Sequence, residues 1–192
     1  MSNETRRQAS LLTMLVVAWS PFALGIAVVV FGAIVADYGP FARTVYSVVL
    51  SFALAAPALW LFARDIFRYP LTPLWRLFWT LSFVAFVVHL YYGYFGLFGG
   101  DWQAVTASQT PTIAYLNLIV TALWGLDVVL AWIGVQGLWV LIQRTVAHLA
   151  MFGAAFTSSA ILHEGIERLP GILLALVFAW GVYERLRSPR PH

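Results

Sequence analysis

Six long apolar runs divide the chain, and short polar or Pro/Gly-containing segments separate them. An α-helix rises about 1.5 Å per residue, so roughly 20 apolar residues cross the ~30 Å hydrocarbon core of a bilayer. The pattern therefore predicts an all-α bundle of six transmembrane helices in one membrane domain over residues 1–192. The predicted helices cover residues 11–35, 44–62, 77–97, 113–133, 137–162 and 169–186. A tilted or interfacial helix is the alternative for the last run, whose uninterrupted apolar core ends at Val182.

The first run is too long for a cleaved signal peptide. Leu11 to Val35 spans 25 residues, whereas the apolar core of a signal peptide has roughly 7–15. We therefore expect a retained first helix. Pro21 lies inside this run and is predicted to kink it, because the ring removes a backbone hydrogen bond.

The composition supports a membrane protein. Apolar types make up 61% of the residues and charged types 10%, against about 45–50% and about 25% in an average soluble domain. So few charges cannot cover a water-exposed surface, which leaves the lipid bilayer as the expected surroundings. The chain has no Cys, which excludes disulfides and thiol catalysis. Its basic residues form no concentrated basic face, so nucleic acid is not an expected partner.

The distribution of Arg predicts the orientation. The N-terminus, residues 63–76, residues 134–144 and the C-terminus together hold nine Arg, whereas the alternate segments hold only Arg43 and Arg168. Cytoplasmic segments collect basic residues, so both termini are predicted to be cytoplasmic. The plasma (inner) membrane of a prokaryote is the expected location.

His89 lies in the middle of the third apolar run, SFVAFVVHLYYGYFGLFGGDW (82–102). Counted from Leu77 it would lie about 18 Å above the cytoplasmic boundary. Ser82, Tyr92 and Gly93 share its helical face, which favours a ring that points into the bundle. A hydrogen-bonded packing histidine is the simpler interpretation, and a ligand or proton-path role is the alternative.

Asp127 is the acidic residue inside the fourth run, about 9 Å from the cytoplasmic boundary, with Asn117 on roughly the same side. Arg144 and His148, one turn apart on the next helix, are its nearest candidate partners in the sequence. An ion pair or hydrogen bond that joins the fourth and fifth helices is the favoured interpretation. A proton relay that involves Asp127 and His89 is the alternative.

His148 raises the question of a haem. If the fifth helix begins at Gly137, His148 lies about 16 Å deep and level with His89. Two histidines at one level on different helices are the geometric requirement for bis-histidine b-type haem, although no spacing motif supports it. If the helix begins nearer Thr145, His148 is shallow and this hypothesis fails.

The segment HEGIE (163–167) offers a second, less supported candidate for ligand binding. His163 and Glu167 would share one helical face at a spacing of four residues. Two ligands without supporting groups make a poor metal site, so a polar turn before Pro170 is the favoured interpretation. The chain has no nucleophile, phosphate-loop or paired-carboxylate motif, and no residue is assigned a catalytic role.

Three functions follow from these features. The favoured one is a non-enzymatic accessory, assembly or interaction subunit with a membrane-protein partner or in a homo-oligomer. Ala150, Ala154 and Ser158 form a small-residue line that suits close helix packing or a dimer face. The alternatives are a haem or redox protein that uses His89 and His148, and a small proton-coupled transporter or channel that uses Asp127 and His89.

Overall fold

The computed structural model describes residues 3–32, 34, 39–65, 71–161 and 168–187. These residues form seven helices, of which six are long and apolar enough to cross a membrane. The fold class is therefore the predicted helical bundle with six candidate spans. The helices are α1 (Asn3–Ala27), α2 (Gly39–Asp65), α3 (Pro73–Tyr91), α4 (Trp102–Gln109), α5 (Pro111–Ile133), α6 (Leu138–Phe156) and α7 (Leu169–Arg187).

Three of the helices continue as π-helical turns. These turns are Val28–Gly32 after α1, Tyr92–Leu97 after α3 and Thr157–Ile161 after α6. α1 runs through Pro21 without ending there. α7 has 19 residues, enough to count as the sixth candidate span.

Proline explains why two helices begin earlier than their apolar runs. α2 begins at Gly39 and α3 at Pro73, five and four residues before the predicted starts at 44 and 77. Proline suits the first helical turn, because the N–H that it lacks has no partner within the helix there. Thr72 caps α3 by accepting a hydrogen bond from the backbone N–H of Trp75 at 3.2 Å. Pro40 and Pro73 thus lie in the first turns of α2 and α3.

α4 lies between the predicted third and fourth spans (77–97 and 113–133). Asp101 caps it by accepting a hydrogen bond from the N–H of Gln103 at 2.8 Å. Eight residues are too few to cross a bilayer, so α4 adds no span.

α2 is the central helix. More than half of its apolar window is buried, a larger share than in any other span of the described chain. It packs on α3 through small residues: Ser51 and Ser82 each donate a hydrogen bond to the other's backbone carbonyl, at 3.0 and 2.7 Å. On its other side α7 approaches closely, because a Cβ on Gly181 would lie 2.7 Å from the carbonyl oxygen of Trp60. Small residues at these contacts let the helix backbones come together.

The long helices alternate in direction, so each has one end on a common side of the bundle. We call this side the 65–73 end, and it contains Asp65, Pro73, Ile133, Leu138 and Arg187. Depth within the bundle is measured below from this end.

Candidate functional site

Three polar side chains meet at one depth. Asp127 on α5, Arg144 on α6 and Trp79 on α3 each lie six residues from the 65–73 end of their helices. At about 1.5 Å per residue this is a depth of about 9 Å for each. Four residues (134–137) connect α5 to α6 and turn the chain back directly. Asp127 and Arg144 lie the same number of residues from this turn, so they come to one level.

The Asp127 carboxylate is fully buried, and both of its oxygens accept hydrogen bonds. Arg144 donates from Nε to Oδ1 at 3.0 Å, and Trp79 donates from Nε1 to Oδ2 at 3.0 Å. The Arg144 guanidinium also lies 4.7 Å from the ring centre of Trp75. Burying two charges is costly unless they pair, and these contacts pair the Asp127 carboxylate with the Arg144 guanidinium. The predicted ion pair between the fourth and fifth spans is confirmed.

The hydrogen bonds of His148 define its tautomer. Its Nδ1 lies 2.8 Å from the carbonyl oxygen of Arg144, and its Nε2 lies 3.1 Å from Nε1 of Trp75. A carbonyl only accepts and an indole N–H only donates, so Nδ1 carries the proton and Nε2 accepts. The imidazole is therefore neutral. Nδ1 lies 3.8 Å from Asp127 Oδ2, which is too long for a hydrogen bond.

Aromatic rings cover both faces of His148. Phe62 stacks at 3.9 Å between ring centres and Trp79 at 3.8 Å, with interplanar angles of 19° and 13°. With both nitrogens bonded and both faces covered, the ring presents no atom to a ligand. Asp127, Arg144, His148, Trp75 and Trp79 form a network of hydrogen bonds that joins α3, α5 and α6, and we call it the polar cluster.

Sequence reasoning missed Trp75 and Trp79 as members of this cluster. Tryptophan is common at the membrane boundary, so Trp75 at the end of an apolar run is not distinguished from a boundary residue by sequence. The available signal was their spacing of four residues, which places both indoles on one face of α3. Both are fully buried, so they act as hydrogen-bond donors inside the protein.

A small recess reaches the polar cluster from the 65–73 end. It has a volume of about 50 Å³, and Trp75, Arg76, Gly134 and Arg144 are among its lining residues. A site needs roughly 10–15 Å³ of this volume to hold one water, so the recess is large enough for water to enter. Trp75 and Arg144 are therefore the members of the cluster that line this opening.

His89 lies far from the polar cluster. It is sixteen residues along α3 from Pro73, about 24 Å from the 65–73 end, and ten residues, about 15 Å, beyond Trp79. Its Nδ1 lies 2.9 Å from the carbonyl oxygen of Thr44 on α2, so the half-buried ring points toward a neighbouring helix. The expectation that His89 and His148 lie level is wrong. α3 begins four residues early, which moves His89 away from the end at which His148 bonds Trp75.

Aromatic rings connect the two regions. Trp79 contacts Trp124 at 4.7 Å between ring centres, Trp124 contacts Phe86 at 5.5 Å, and Phe86 contacts His89 at 5.5 Å. The structure thus does not bring His89 together with either Asp127 or His148, and apolar rings rather than polar groups form this connection.

The remaining candidates lie apart from the polar cluster. Asn117 donates a hydrogen bond from Nδ2 to Gln109 Oε1 at 3.2 Å. The Tyr92 ring lies 5.5 Å from the Arg43 guanidinium. His163 and Glu167 fall outside the described residues. Within the residues that are described, no group of three His, Asp or Glu side chains has a metal-binding arrangement.

No protein-family model, curated protein or solved structure matches the chain. Its function is therefore inferred from its own residues and contacts.

Proposed function

We propose that this protein is a non-enzymatic accessory or assembly subunit of a membrane complex. The observation that carries the proposal is the complete hydrogen bonding of the polar cluster. Both oxygens of Asp127 and both nitrogens of His148 are bonded to protein groups, and rings cover the imidazole. Groups arranged in this way fix helix positions rather than act on a substrate.

A strip of small residues on α6 supports an interaction role. Ala147, Met151 and Ala155 form the buried face of α6, whereas Ala150 and Ala154 are only half-buried. Ser158, on the following π-helical turn, is exposed. Small residues at a helix surface allow another helix to approach closely in lipid. The proposal therefore assigns this strip to a helix of a membrane partner or of a second copy.

Site-specific photo-crosslinking in native membranes tests this role. A benzophenone amino acid at Ala154 is expected to join the chain to one other polypeptide, and Ala150→Leu is expected to abolish the product by filling the strip. The matched control carries the crosslinker at Val129, an exposed residue of α5. Crosslinks to lipid alone at both positions would contradict the proposal. The mass of the product distinguishes a second copy from a different protein.

The proposal includes the orientation and location. The termini and the segments 63–76 and 134–144 hold nine Arg, and the alternate segments hold two. This distribution supports cytoplasmic termini. The 65–73 end would then face the cytoplasm, and the membrane would be the inner membrane of a prokaryote.

One observation favours a second candidate, a proton-coupled transporter or channel that uses Asp127 and His89. The recess at the 65–73 end gives water access to Arg144, the ion-pair partner of Asp127. Proteoliposomes with an internal pH-sensitive dye test this candidate. Proton flux that Asp127→Asn removes would support it, and flux equal to that of empty liposomes would exclude it.

A further inference from the structure

We propose that a groove between α2 and α7 binds one acyl chain of a phospholipid from the leaflet at the 65–73 end. The lipid phosphate would contact Arg64 at the mouth of the groove. This site is separate from the polar cluster and does not depend on the accessory role.

The groove is a shallow depression that is open along the outer surface of the bundle. Its volume is about 570 Å³. The surface that it offers is almost wholly apolar. Its lining residues are Ala56, Pro57, Trp60, Leu176, Val177 and Trp180.

The depth of the groove restricts its occupant to one leaflet. Trp60 and Trp180 lie five and seven residues from the 65–73 ends of α2 and α7, at depths of about 8 and 10 Å. Ala56 and Leu176 lie nine and eleven residues from the same ends, at about 14 and 16 Å. Half of the hydrocarbon core is about 15 Å thick, so the groove ends near the bilayer midplane. A partner helix would need a contact surface through both leaflets, whereas an acyl chain ends at the midplane.

A single carboxylate holds both aromatic walls in place. Glu184 accepts a hydrogen bond from Nε1 of Trp60 at 2.9 Å and from Nε1 of Trp180 at 3.1 Å. α7 is also held close to α2 here, because a Cβ on Gly181 would lie 2.7 Å from the carbonyl oxygen of Trp60. The groove is therefore formed before a ligand binds, which lowers the ordering cost of binding.

The mouth of the groove carries the charge that a phosphate requires. The Arg64 guanidinium lies 4.6 Å from the ring centre of Trp60, directly beside the groove, and its side chain is 31% exposed. It uses Nε and one terminal nitrogen toward Asp65, and a guanidinium has five N–H donors in all. Arg185 and Arg187 occupy the last turn of α7 on the same side. Three Arg against Asp65 and Glu184 leave the mouth with a net positive charge, which attracts a phosphodiester.

Native mass spectrometry of the delipidated full-length protein tests the site with two probes. Dipalmitoyl phosphatidylglycerol carries the phosphate, and dipalmitoylglycerol has the same chains without it. One retained phosphatidylglycerol per protein is expected, with weaker retention of dipalmitoylglycerol. Arg64→Gln is expected to reduce phosphatidylglycerol affinity about fivefold, the effect of one Arg near an anionic lipid, and to leave dipalmitoylglycerol retention unchanged. Arg76→Gln, at the same end but outside the groove, is the matched control.

A groove-filling variant tests where the acyl chain binds. Val177→Phe is expected to abolish the retained lipid, whereas Val129→Phe on the exposed face of α5 keeps it. Val177→Phe could lose the lipid because it misfolds, so a second measurement uses the unmodified protein. The probe is a phosphatidylglycerol with a photoreactive diazirine in the middle of one acyl chain. Its crosslinks are expected at Leu176 or Val177. Equal retention of both probes would refute phosphate recognition. Crosslinks spread over all exposed helices would refute the groove.

Discussion

Replacement of Asp127 by Leu tests whether the polar cluster holds the bundle together. The substitution leaves the Arg144 charge, whose side chain is 4% exposed, without its counter-ion. It also leaves the Trp79 indole N–H without an acceptor. Breaking a buried ion pair by removing one partner costs about 3–5 kcal/mol, and we expect a loss of that size in the free energy of unfolding.

Two further variants separate the charge from the hydrogen bonds. Asp127→Asn keeps an oxygen that can accept a hydrogen bond from Trp79. Its loss of unfolding free energy is therefore expected to be smaller than that of Asp127→Leu by about 1–3 kcal/mol, the cost of one unsatisfied buried donor. The double variant Asp127→Leu with Arg144→Met removes both charges. Replacing a buried pair with apolar residues is often neutral. The double variant is therefore expected to be more stable than Asp127→Leu alone and to remain about 1–3 kcal/mol below the unmodified protein, because Trp79 stays unsatisfied.

The assay is reversible unfolding in mixed detergent micelles, followed by tryptophan fluorescence and fitted to a free energy of unfolding. Asp101→Asn is the control, since Asp101 is an exposed helix cap and Asn caps equally well. Its effect is expected to stay within about 0.5 kcal/mol. The reasoning is refuted if Asp127→Leu matches the unmodified protein, or if the double variant is no more stable than the single one.

Three other predictions concern orientation and helix packing. A single Cys at the exposed Ala107 is expected to react with an impermeant thiol reagent from the outside of intact cells, and labelling only after lysis would reverse the proposed orientation. Gly181→Val is expected to lower the melting temperature in detergent, because its Cβ would meet the Trp60 carbonyl oxygen at 2.7 Å; an unchanged value would show that α7 can move away at no cost. Ser82→Ala removes one of the two Ser51–Ser82 hydrogen bonds. The expected loss in the free energy of unfolding is about 0.6 kcal/mol, as for other hydrogen bonds between membrane helices. A loss above about 3 kcal/mol would mean that these helices separate.

Several features could be read from the sequence because helix geometry is fixed by the backbone. The six spans follow from the number of apolar residues needed to cross a bilayer. The pairing of Asp127 with Arg144 follows from equal counts on either side of a short turn, since each residue adds a constant rise. Depth along a helix is therefore predictable, and errors arise where the start of the helix is misjudged. The early start of α3 at Pro73 is such a case, and it moved His89 out of the level predicted for it.

Tertiary structure decided which side chains become neighbours. α3 is apolar almost all around, so the sequence has no polar stripe to show which way Trp75 and Trp79 point. Their roles depend on where α5 and α6 pack against α3, and so does the tautomer of His148, which a donor far away in the sequence determines. The groove between α2 and α7 depends in the same way on the close approach at Gly181. Local geometry determines how deep a residue lies, whereas the packing of distant helices determines what it contacts.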